Sequence, residues 1–293
     1  MNQRTPSRRE FLKKSSVAVA GATAISSLSL ARGAHAAEDN QMKVALIGCG
    51  GRGTGAAVNC LQTNKNTKLV AVADAFEDNA KKSANRLRKK FGDRVDVPGD
   101  RVFSGFDAYK SAIAAGADML LIATPPGFRP THYKAAIEAG KHVFMEKPCC
   151  VDAPGFRSLM ETNKLADEKN LKVGVGLQRH HQATYVETIK RLQDGAIGDI
   201  QFLRVYWNGA GVWNRKRKPE QTEMEYQMRN WYYFVWLCGD HILEQHIHNM
   251  DVGNWVRGDE HPVEANGMGG CTARYLDDLK GTGQIFDHHF VEF

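Results

Sequence analysis

The 293-residue sequence is sparing with cysteine: six, at positions 49, 60, 149, 150, 238 and 271, with no C-x-x-C pair among them. That spacing argues against a zinc ribbon or a disulfide scaffold. The adjacent Cys149 and Cys150 read as packing residues, not a redox couple. No H-E-x-x-H run occurs, and the spacing of His241, His246 and His248 does not put all three on one helical face, so no metal is expected. Beyond the first 36 residues no apolar stretch is long enough to span a bilayer, and no internal repeat is present. Charge of one sign is also scarce. Of 39 basic and 33 acidic residues, six basic and one acidic lie within residues 1–36, leaving 33 and 32 for the remainder. Nucleic-acid binding loses its electrostatic basis at that point. The run Arg215-Lys216-Arg217-Lys218 reads as a solvated loop.

The N-terminus reads as a processing segment. Ser7-Arg8-Arg9-Glu10-Phe11-Leu12-Lys13 resembles a twin-arginine export motif, followed by the mildly apolar, small-residue stretch from Val17 to Ile25. Ala34-His35-Ala36 fits an A-x-A cleavage site. Residues 1–36 are therefore expected to be removed, leaving a periplasmic protein with no membrane segment.

From Met42 onward, short apolar runs alternate with helical stretches. Strands are expected at 43–47, 69–73, 119–123, 141–145 and 171–175, and helices near 54–63, 78–91, 107–115, 131–139 and 154–169. Alternation on this scale predicts an α/β fold, a doubly wound parallel sheet with right-handed crossovers. The division expected is a Rossmann domain over residues 42–170 and a substrate-binding α+β domain over 171–293.

The first strand-to-helix turn, Gly48-Cys49-Gly50-Gly51-Arg52-Gly53, matches G-x-G-x-x-G. Gly48 suits a tight turn, Gly50 lets backbone approach a pyrophosphate, and Gly53 lets helix pack on strand. The helix start offers N–H groups and a positive dipole end to phosphates. Asp74, at the end of the second strand, stands where an acidic group meets the adenosine ribose hydroxyls and repels a 2′-phosphate. NAD is thus expected in preference to NADP. A helix cap is the structural alternative for Asp74.

Ala139-Gly140-Lys141-His142-Val143-Phe144-Met145-Glu146-Lys147-Pro148 carries every fixed position of A-G-K-H-V-x-x-E-K-P. With the glycine turn, this run resembles the Gfo/Idh/MocA oxidoreductases over roughly residues 42–293. A lysine at the carboxyl end of a Rossmann strand faces the crevice where nicotinamide and substrate meet. Lys147 could donate to the reacting hydroxyl, with Glu146 orienting or neutralising it. Gly51, Arg52, Thr124, Pro125, Glu146 and Lys147 join Gly48, Gly50, Gly53 and Asp74 as candidate cofactor contacts.

Ile200–Trp207 alternates as a strand would, and Gly239–Asp251 reads as a helix carrying Asp240, Glu244, His248 and Asp251 on one face. The resemblance implies that His248 is the acid–base group of a D-x-x-x-H motif, with Glu244 standing in the aspartate's place, both counted as catalytic with Lys147. It also implies that Arg179 and His180 line the substrate pocket. Asp240 and Asp251 are grouped with them as substrate contacts. Family members continue into a broad, mostly antiparallel sheet, and a homo-oligomer is expected of a full-length chain. This sequence stops within an apparent strand at Phe293, and a C-terminally truncated second domain is expected. The implied activity is NAD-dependent oxidation of a sugar, cyclitol or related polyol. The alternative is an exported glycosidase that keeps its NAD and oxidises the sugar transiently.

Overall fold

The computed structural model describes residues 41–209, 211–258, 260–272 and 283–293. The twin-arginine segment and its cleavage site lie outside the described residues. Contacts set Lys43–Phe293 apart as one compact unit.

Strand β1 (Met42–Ile47) shows how the sheet arises from its sequence. Val44, Ala45, Leu46 and Ile47 are all essentially without exposure, as a strand covered on both faces must be. Ala45 and Ile47 join one core cluster and Val44 and Leu46 the other, following the two-residue period of a strand. Helix α1 (Gly51–Thr63) follows, then β2 (Thr67–Asp74), α2 (Glu77–Phe91), β3 (Val102–Ser104), α3 (Ala108–Ala114) and β4 (Met119–Ile122). The series continues with α4 (Arg129–Glu138), β5 (His142–Met145), α5 (Ala153–Glu168), β6 (Val173–Val175) and α6 (Ala183–Gln193). Helices α1 and α2 cover one face of the sheet, and α3, α4 and α5 cover the other.

The six strands lie in the order β3-β2-β1-β4-β5-β6, and the pairs β2–β3, β1–β4, β4–β5 and β5–β6 are parallel. This is the doubly wound nucleotide-binding order, and its crevice opens beyond the carboxyl ends of β1 and β4, where the winding reverses. The division expected after residue 170 falls one strand early, because Val173–Val175 pairs with Val143–Met145 inside this sheet. Strand β3 has no counterpart among the expected strands. Three residues at a sheet edge, none of them fully buried, leave no apolar run to read.

After α6 the chain is less regular. Ile200–Trp207, expected as a strand, has no regular secondary structure. Alternation fits a strand only where a neighbour supplies the ladder, and no described strand lies beside it. Further on come α7 (Glu223–Arg229), a π turn at Ile242–His246 running into α8 (Ile247–Val256), and the antiparallel pair β7 (Asn266–Gly270) and β8 (His288–Glu292). The aromatic segment Tyr232-Tyr233-Phe234 and Leu237 form a third core cluster with Ile285. Among the described residues no helix is long and apolar enough to cross a membrane.

Candidate active site

The glycine turn has the geometry its motif requires. Gly48 sits at φ +95°, and a Cβ there would lie 2.5 Å from the Ala123 carbonyl carbon. A Cβ on Gly53 would overlap the Gly48 carbonyl oxygen, so α1 can start this close to β1 only with glycine there. By contrast, Gly50 and Gly51 have nothing within 4 Å of a would-be Cβ. Gly50 caps α1 without a side-chain bond, and the first turn carries no acidic residue. The backbone N–H groups and positive end of α1 are therefore left for an anion. Asp74 closes the turn from the next strand. Its Oδ2 accepts from the Cys49 N–H at 2.7 Å, and its Oδ1 from the Phe76 N–H at 2.9 Å. Burial pushes its carboxyl pKa up, and those N–H donors oppose the shift. Asp74 thus has a structural task at the turn, at the strand end where the motif leads one to expect the ribose contact. These features fit a dinucleotide, with the pyrophosphate at the start of α1 and the acidic group at the end of β2.

Lys147 follows β5 and meets the C-terminal part of the chain. Its ammonium lies 3.2 Å from Glu244 Oε2 and also donates to the Glu244 carbonyl. Glu244 is 4% exposed, and its Oε1 has no hydrogen-bond partner among the described residues. Burial raises the Glu244 carboxyl pKa, against the pull of Lys147 and Arg129. His248, four residues on, is buried, and its Nδ1 also lacks a hydrogen-bond partner among the described residues. Burial, with Lys147 and Arg179 as nearby cations, holds its ring down to about 4, so it is neutral at neutral pH. Trp207 stacks on it at 5.9 Å.

The expected single face on the helix divides in two. Asp240 has φ +73°, and the π turn after it shifts the phase of the residues that follow. Glu244 and His248 reach the Lys147 side. Asp240 instead accepts from the Phe286 N–H at 2.9 Å and lies 3.2 Å from His289 Nε2. Asp251 pairs with His180 at 2.8 Å, and the His180 ring stacks on Trp255 at 4.2 Å. Arg179 donates to the His248 carbonyl at 2.9 Å and to Asn249 Oδ1. Arg179, His180 and Asp251 therefore tether α8 to the end of the Rossmann sheet, and Asp240 is turned toward β8. The expectation that Glu146 orients Lys147 is also corrected. Glu146 forms its ion pair with Arg52, at 3.0 Å, and Glu244 is the carboxylate paired with Lys147.

Three polar residues at this end of the sheet, Arg129, His132 and Tyr232, carry no signal in the sequence. Arg129, 2% exposed, donates to the carbonyls of Thr124 and Pro148 and so ties the loop after β4 to the loop after β5. His132 Nδ1 lies 3.1 Å from the Thr124 hydroxyl. The Tyr232 hydroxyl reaches His241 Nδ1 at 3.2 Å. Loops at the carboxyl ends of parallel strands are where such residues gather, but one arginine in a first helical turn reads as a surface residue. Thr124 and Pro125 do occupy that loop. Cys149 and Cys150 pack against the core, and burial raises both thiols, Cys149 to about 11. Among the described residues no group of three or more His, Cys, Asp or Glu is placed to hold a metal ion.

Residues 42–177 match the family model described as the oxidoreductase family, NAD-binding Rossmann fold, of the Gfo/Idh/MocA group. This segment is similar to the NAD-binding domain of that family. An inositol 2-dehydrogenase of Rhizobium meliloti is 26% identical over 228 residues, covering 78% of this chain and 57% of the relative. A scyllo-inositol 2-dehydrogenase (NAD(+)) of Bacillus subtilis is 24% identical over 259 residues, covering 87% and 60%. The chain thus spans somewhat more than half the length of these curated relatives. A putative myo-inositol dehydrogenase structure from Sinorhizobium meliloti superposes with a TM-score of 0.58 at 22% identity, covering 86% of this chain and 64% of that one. That likeness establishes shared fold alone.

Proposed function

We propose that this chain carries the cofactor site and catalytic group of an NAD-dependent dehydrogenase acting on a cyclitol, sugar or related polyol. The observation that carries the proposal is the Lys147–Glu244 ion pair beyond the carboxyl end of β5, with Lys147 near enough to His248 to hold its ring pKa down. Bound NAD would supply the hydride acceptor. Lys147 donates to the substrate hydroxyl oxygen as negative charge develops there, and Glu244 holds that ammonium in place. Neutral His248 accepts the hydroxyl proton. The inositol dehydrogenases among the relatives support a polyol substrate, and the redox-cycling glycosidase has no such support. The Asp74 carboxylate favours NAD over NADP. To test the assignment, NAD reduction is followed with inositols and aldoses. Lys147→Ala and His248→Ala should each reduce turnover by ~10²–10⁴-fold while NAD still binds. Near-normal turnover in either variant would remove that residue from the mechanism.

We also propose, from the Ser7–Lys13 motif, that the chain is exported by the twin-arginine route. Twin-arginine transport carries folded proteins, so NAD would be loaded before crossing and then retained where free NAD is scarce. Retention implies a dissociation constant below about 1 nM, or about −12 kcal/mol. Denaturing protein purified without added cofactor should release about one NAD per chain. Release well below that amount, with activity dependent on added NAD, would overturn retention.

A further inference from the structure

The Arg52–Glu146 ion pair joins the two places that a bound dinucleotide must connect. Arg52 is the second residue of α1, whose start receives the pyrophosphate, and Glu146 directly follows β5, beside Lys147. Its partners differ in exposure. The Arg52 side chain is 58% exposed, whereas that of Glu146 is 13% exposed. Backbone confines the carboxylate from behind, since a Cβ on Gly176 would lie 2.7 Å from Glu146 Oε2. Arg52 is the solvent-facing member.

Water reaches the pair from the Arg52 side, and that screening weakens it. A pyrophosphate at the start of α1 offers a guanidinium more acceptor oxygens and more charge than one carboxylate. Space is available for it, because Gly50 and Gly51 are clear and the first turn carries no acidic side chain to compete.

We propose that Arg52 is an exchangeable phosphate clamp, which leaves Glu146 for the pyrophosphate of NAD when the cofactor binds. The exchange rests on the NAD-dependent reading above. It makes Glu146 a competitor for Arg52, so the two residues have opposite effects on affinity. Loss of Arg52 weakens NAD binding, and neutralising Glu146 strengthens it.

The test is calorimetric titration of the full chain, stripped of nucleotide, with NAD and with ADP-ribose, which keeps the pyrophosphate but lacks nicotinamide. Arg52→Gln should raise both dissociation constants by about tenfold or more and flatten their dependence on salt. Arg52→Lys should fall between it and the unaltered chain. Glu146→Gln should lower both constants, and the double variant should match Arg52→Gln alone. Unfolding midpoints check that each variant remains folded. Binding by Arg52→Gln within about twofold of the unaltered chain would overturn the exchange. So would a Glu146→Gln variant that binds more weakly, which would mark the pair as a clasp closed over bound cofactor. If the unaltered chain binds neither NAD nor ADP-ribose, the cofactor reading falls together with the exchange.

Discussion

Asp74 is bonded to the backbone of the glycine turn and stands at the end of β2, where a ribose contact is proposed for it. Its carboxylate accepts from backbone on both sides, Cys49 in the glycine turn and Phe76 before α2. Asp74→Ala should weaken NAD binding by ~1–3 kcal/mol and narrow the preference over NADP, as titration with both cofactors would show. Equal affinity of the unaltered chain for the two would remove Asp74 from cofactor selection. His132 provides a pH signature. Burial and the neighbouring Arg129 hold its ring down to about 4. The folded chain therefore takes up this proton less readily than the unfolded chain. The stabilisation is complete above an ordinary histidine value of about 6.5 and is lost as pH falls toward the folded value. Denaturant unfolding of the unaltered chain and His132→Gln should thus give a stability difference that shrinks as pH falls from neutral to about 4. A constant difference across that range would exclude the linkage.

At the scale of elements, the first β–α unit is held by two glycines that do different work from their neighbours. Gly53→Ala would drive a methyl group into the Gly48 carbonyl and should cost ~1–3 kcal/mol in denaturant unfolding, the usual penalty for overpacking. Gly51→Ala meets nothing within 4 Å and should leave stability nearly unchanged. If both variants unfold at the same denaturant concentration, the close approach of α1 to β1 is not what requires glycine. The region from Ile200 to Trp207 shows the converse. Its alternating residues fit a strand, but a strand is completed by a neighbour, and Phe202 and Tyr206 remain 71% and 63% exposed. Local pattern was not enough to form the element.

Across the whole molecule, exposed apolar side chains collect in the C-terminal part, with Met268 and Phe290 facing one another across β7 and β8 at 77% and 66% exposure. Apolar surface of this kind promotes association. Replacing Phe202, Tyr206 and Phe290 with serine should reduce concentration-dependent self-association in sedimentation experiments while leaving NAD binding in place. Unchanged association would show that this surface does not mediate it.

The Rossmann sheet was legible in the sequence because its signals are local. Strands buried on both faces read as unbroken apolar runs, the glycine turn carries its own spacing, and helices near 78–91 and 154–169 repeat at the helical period. β3 was too short to leave such a signal. The candidate site was only partly legible. Lys147, Glu244 and His248 could be nominated one by one, but their meeting, Lys147 with Glu244 across 97 residues of chain, depends on tertiary packing. Packing also decided that the π turn would separate Asp240 from Glu244, that Arg179, His180 and Asp251 would tether α8, and that Glu146 would pair with Arg52. Side-chain partners distant in sequence are chosen by which loops the folded sheet brings together, and no local periodicity records that choice.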